Sequence, residues 1–76
     1  MPRRNVDAGD FFVELGARMR EVRRARKVTQ TKLAERLEVH RNTLMRCEHG
    51  EVRVDAWILS RFAKELNVSM RWLVGG

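Results

Sequence analysis

The chain has 76 residues, with 16 Lys and Arg against 10 Asp and Glu, one Cys and no Tyr. A chain this short buries only about 60% of the surface it exposes when unfolded, which leaves few residues to wall a deep catalytic cleft and argues against an enzyme. A lone cysteine forms no internal disulfide, no apolar run reaches membrane-spanning length, and the formal charge of +6 points to a polyanion, nucleic acid ahead of a membrane surface.

The positive charge is concentrated early: residues 1–27 carry a net +4, against +1 in each of 28–50 and 51–76. Residues 1–9 contain Pro2 and Gly9 without apolar periodicity, and are read as a flexible basic arm ahead of one folded domain over 10–76. The arm runs into Asp7, Gly9 and Asp10 instead of an apolar export signal, so the expected location is the cytoplasm. Asp10 is placed to cap a first helix over about residues 10–26, in which Phe12, Leu15, Met19 and Val22 form one stripe. Around that stripe Arg18, Arg20, Arg23, Arg24, Arg26 and Lys27 face only Glu21. Such a distribution suits phosphate attraction or plain solvation.

Thr29 can cap a second helix, 30–37, with Leu33, Ala34 and Leu37 turned inward. Glu38, Val39 and His40 carry no stripe of their own. A third short helix then spans 41–48 with Leu44 and Cys47 inward, and Gly50 ends it because glycine accepts left-handed dihedrals. Asp55 can cap a fourth helix whose apolar face is Ile58, Leu59, Phe62, Ala63 and Leu66, with Asn67 as its stop. Ser69 caps a last turn, 70–74, from which Trp72 and Leu73 are expected to pack back. The fold class is all-α: a compact bundle of five short helices.

Helices 30–37 and 41–48, joined by three residues, have the dimensions of a helix-turn-helix, whose second helix enters the major groove of DNA. With Leu44 and Cys47 inward, that helix turns Arg41, Asn42, Met45 and Arg46 outward, with Thr43 at the edge. Arg pairs with guanine O6 and N7, Asn with adenine N6 and N7, and Thr or Met touches a thymine methyl. A merely solvated helix would more often carry Glu and Lys there.

The run Thr29-Gln30-Thr31-Lys32-Leu33-Ala34-Glu35-Arg36-Leu37, then Val39-His40-Arg41-Asn42-Thr43-Leu44 and Glu48-His49-Gly50, resembles the Cro and phage-repressor class of helix-turn-helix regulators, also called the xenobiotic-response-element class. The resemblance continues through Arg61-Phe62-Ala63-Lys64-Glu65-Leu66-Asn67-Val68-Ser69 to Trp72-Leu73. It implies a five-helix, lambda-repressor-like domain that binds double-stranded DNA as a homodimer on a palindromic operator. Carried over by position, Arg41, Asn42, Thr43 and Arg46 would meet bases. Thr29, Gln30, His40, His49, Arg53 and Arg23 would meet phosphates, Gln30 also bracing the third helix. The same pattern pairs Arg23 with Glu48, an arrangement in which the carboxylate orients a half-buried guanidinium.

Three departures stand out. Glu38 occupies a turn position usually given to Gly, which implies a strained positive φ costing on the order of 1 kcal/mol. Lys32 replaces an acid and removes a capping box. Glu51 stands where a base is common, weakening a phosphate contact there.

His40, Cys47 and His49 lack metal-ligand spacing, so no metal and no cofactor are expected; Cys47 reads as a small core residue. His40 is read as a helix cap, a phosphate contact or a simply exposed side chain. Trp57 lies off the apolar face of the fourth helix, where it either packs on the loop at 51–54 or, with Met70 and Val74, forms a homodimer contact. The expected function is a bacterial or phage transcriptional regulator, a repressor, controlled by its own concentration, since nothing in the sequence beyond the fifth helix offers a sensor. The alternatives on the same fold are an antitoxin, with a toxin or another protein as partner, and a controller protein of a restriction-modification system. A further alternative is non-specific nucleic-acid packaging.

Overall fold

The structure, a computed structural model, describes residues 8–75. Five helices follow in order, α1 (Ala8–Ala25), α2 (Gln30–Leu37), α3 (Arg41–Glu48), α4 (Ala56–Leu66) and α5 (Met70–Leu73), with no strand among the described residues. One core joins them. Leu15, Met19 and Val22 from α1 meet Leu33 and Leu37 from α2, Leu44 and Cys47 from α3, Leu59, Phe62 and Leu66 from α4, and Leu73. Burial holds the Cys47 thiol above its ordinary pKa, and the carboxylates of Asp55 and Glu48 add to the effect; the group stays neutral and packs as a hydrophobe.

The starts and stops follow local chemistry. Thr29 Oγ1 accepts from the Lys32 N–H at 3.1 Å, Asp55 Oδ1 from Ile58 at 2.8 Å and Ser69 Oγ from Trp72 at 3.2 Å, caps worth about 1 kcal/mol each. Lys27, Glu38 and Asn67 all take left-handed dihedrals, with φ of 59°, 59° and 54°. In each case the next residue's N–H reaches back into the helix: Val28 to Arg23 O, Val39 to Ala34 O and Val68 to Ala63 O, which satisfies carbonyls that the helix end leaves open. The strained turn expected at Glu38 is therefore present, and Lys27 is a second of the same kind.

Four details differ from the sequence pattern. First, α1 begins at Ala8, so Ala8 and Gly9 belong to the helix and Asp10 sits in its first turn, where its charge favours the helix dipole; residues 1–7 of the expected arm lie outside the described residues. Second, α5 ends at Leu73, with Val74 as its C-cap. Third, Trp72 does not pack back: Leu73 is fully buried while Trp72 is 40% exposed, since neighbours on a single helical turn point about 100° apart. Fourth, Val54 in the loop before α4 is buried and closes the core.

Arginines fasten the helix ends. Arg18 Nη1 donates to Leu73 O (3.3 Å), Arg26 Nε to Leu66 O (3.0 Å) and Nη2 to Asn67 O (3.3 Å), and Arg61 Nη2 to Arg36 O (2.8 Å). Each meets the negative end of a helix, where a cation is favoured. Two glycines matter for α3. A Cβ on Gly16 would collide with the carbonyl oxygens of Cys47 and Glu48, and one on Gly50 (φ 73°) with the backbone of Val13, so α1 lies directly against the C-terminal end of α3.

Candidate nucleic-acid interface

The left-handed Glu38 lets α2 turn into α3 within three residues. Once Leu44, Cys47 and Glu48 are buried, the period of the helix decides what faces away: Asn42 and Arg46 point outward, Thr43 and Met45 flank them half-buried, and Arg41 leans toward the start of α2.

His40, Arg41, Asn42, Thr43 and Arg46 line one open depression. A second is lined by Arg23, Arg24, Thr29, Gln30, Thr31 and Arg41, so Arg41 belongs to both. The side chains of Arg24, Arg41, Asn42 and Arg46 have no hydrogen-bond or ion-pair partner among the described residues. This is a face of unspent donors beside the N-terminus of α2, and a helix N-terminus favours an anion.

Behind it, Glu48 is the hub. Arg23 Nε donates to Glu48 Oε2 at 2.6 Å and Arg23 Nη2 to Oε1 at 3.1 Å, while Gln30 Nε2 donates to Oε1 at 3.0 Å. Arg23 also holds Val28 O at 2.9 Å. Residue Arg23 is 9% exposed and Glu48 2%. The pair ties α1, α2 and α3 together in a buried setting, and it commits three of the five donors of Arg23. Gln30 thereby links the first turn of α2 to the last residue of α3.

The remaining sequence candidates are dispersed. His40 stands at the N-cap of α3, but its side chain makes no capping bond and it is exposed; the capping reading of this side chain is thus corrected. His49 Nδ1 lies 3.8 Å from Glu51 Oε2, outside both depressions, as is the exposed Arg53. Trp57 is 54% exposed with the Arg61 guanidinium 5.1 Å over its ring, and Met70 and Val74 are exposed. Arg24 and Thr31 line the second depression without having been singled out from sequence. Arg24 was one of a run of six cations, and nothing in one dimension separates it from its neighbours. Among the described residues no group of His, Cys, Asp and Glu could hold a metal, and no helix is long and apolar enough to cross a membrane.

Comparison with known proteins agrees with this architecture. A family model described as a helix-turn-helix domain matches residues 14–71, while no curated protein matches the chain. Among solved structures, the restriction-modification controller protein C.AhdI from Aeromonas hydrophila superposes with a TM-score of 0.77 at 29% identity, over 82% of this chain and 94% of that one. The clp gene regulator ClgR from Corynebacterium glutamicum gives 0.80 at 28% identity, over 83% and 67%. A hypothetical transcription factor, NHTF from Neisseria, gives 0.79 at 22% identity, over 97% and 85%, a likeness of fold. With the matched segment running from mid-α1 into α5, the chain belongs to the helix-turn-helix domain family, in the Cro and phage-repressor class of DNA-binding regulators.

Proposed function

We propose that this chain is a sequence-specific transcriptional repressor that reads a palindromic operator as a homodimer, with α3 of each protomer in the major groove. The observation that carries the reading is the depression formed by His40, Arg41, Asn42, Thr43 and Arg46, in which the guanidinium and amide groups have no partner among the described residues. In this reading Arg41, Asn42 and Arg46 meet base edges, with Thr43 at the margin. Thr29, Gln30, His40, Arg24 and the α2 amides hold one backbone, while His49 and Arg53 reach the other; Arg23 adds its two remaining donors. Trp57, Met70 and Val74 supply apolar surface to the dimer contact. No catalytic role, metal or cofactor enters, and the site of action is the cytoplasm.

A second reading is favoured by one comparison. The likeness to C.AhdI covers 94% of that protein, which supports a controller role for this chain on the same DNA-binding chemistry. Selection of bound sequences from a random duplex pool tests the common core of both. Symmetric paired half-sites are expected; single asymmetric sites overturn the dimer. Sedimentation of Trp57→Ala then checks the contact, with a fall in dimer mass expected and unchanged mass removing Trp57 from it.

A further inference from the structure

We infer that each half-site is written around an adenine and a guanine about two base pairs apart, read by Asn42 and Arg46 respectively. The inference rests on the reading of α3 given above and adds which bases that helix selects.

The burial of Leu44, Cys47 and Glu48 sets the inward direction of α3. Asn42 and Arg46, four residues apart, are the side chains that lie nearest the opposite direction, only about 40° from each other around the axis. The other outward residues are less well placed. Thr43 and Met45 sit on either flank and are half-buried, while Arg41 leans toward Gln30 and Arg24, where it also lines the phosphate-side depression.

Hydrogen-bond polarity then assigns the bases. The Asn42 amide offers one acceptor and one donor group, which complements the N6 donor and N7 acceptor of adenine; on guanine its oxygen would face O6, acceptor against acceptor. The Arg46 guanidinium offers donors only, which suits the paired O6 and N7 acceptors of guanine and opposes the N6 amino group of adenine. Among the described residues Arg46 has no hydrogen-bond or ion-pair partner. The Glu48 carboxylate, two residues along the same helix, is engaged by Arg23 and Gln30.

Spacing fixes the separation. Residues four apart on a helix are displaced about 6 Å along its axis, against a base-pair rise of about 3.4 Å.

The test begins with sites selected from a random duplex pool by the full chain. Selected half-sites should hold an A·T and a G·C pair about two base pairs apart. In such a duplex, replacing that guanine with 7-deazaguanine, or that adenine with 7-deazaadenine, removes N7 and keeps the pairing. Each replacement should weaken binding of the unmodified protein by about tenfold. Arg46→Ala should lose sensitivity to 7-deazaguanine alone, and Asn42→Ala to 7-deazaadenine alone, both variants keeping the helical spectrum of the parent. Preferred sequences without this pair, or N7 replacements without effect, overturn the inference while leaving the regulator reading intact. A pool that returns no preferred sequence overturns both.

Discussion

Arginine does two different jobs on two sides of this molecule. Where α1, α4 and α5 come together, Arg18 and Arg26 donate to the last carbonyls of α5 and α4, and Arg61 does the same for α2. On the α2–α3 face, Arg24, Arg41 and Arg46 have no hydrogen-bond or ion-pair partner among the described residues. All six carry the same charge, yet only the second set keeps its donors free for a ligand. Net charge, concentrated in residues 1–27, therefore marks a polyanion-binding protein without marking its binding face. Part of that early charge is helix-end fastening, a role separate from both phosphate attraction and solvation.

Substitutions can break this division. The largest effect is expected behind the face: Arg23→Ala leaves the buried Glu48 carboxylate with Gln30 alone and should lower stability by about 3–5 kcal/mol, read by urea unfolding. A loss below about 1 kcal/mol would mean that the hub is not what joins α1 to α3. Next come two mirrored variants. Arg46→Ala should lose about 1–3 kcal/mol of operator affinity with unfolding changed by no more than about 0.5 kcal/mol. Arg61→Ala should do the reverse, losing about 1 kcal/mol of stability with its carbonyl bond and leaving the operator isotherm in place. If both variants lose affinity alone, the separation of roles fails. The smallest effect is expected at the turn, where Glu38→Gly relieves a left-handed side chain and should raise stability by up to about 1 kcal/mol, with operator affinity unchanged.

Much of the fold could be read from local chemistry. Thr29, Asp55 and Ser69 cap the helices they were expected to cap, and Glu38 and Asn67 stop theirs with left-handed dihedrals, because caps and stops depend on a few adjacent residues. Most of the outward set on α3 was legible too: burial of Leu44 and Cys47 leaves Arg41, Asn42 and Arg46 exposed, whereas Met45, also read as outward, is half-buried on the flank. What was hidden is tertiary. Trp72 was assigned inward by residue type, and α5 is too short for a periodic stripe to object. Arg24, Arg18 and Arg26 are indistinguishable in a basic run; Arg18 and Arg26 find their partners at the ends of α5 and α4, far along the chain, while Arg24 lines the depression beside α2. The Arg23 to Glu48 pair came from family resemblance, as no local rule joins residues on separate helices.

Gly16 gives the reading helix its aim. By letting α1 touch the carbonyls of Cys47 and Glu48, it acts as a stop against which the rear of α3 rests, on the side away from Asn42 and Arg46. A methyl group there would lift that end and swing Asn42 and Arg46 as a lever swings its far arm. Base recognition tolerates little misplacement of its donors, because hydrogen bonds weaken steeply with angle. Under the proposed reading, specificity thus depends on a position that touches no nucleotide, and the regulator would become deaf to its target with every proposed reading residue still in place.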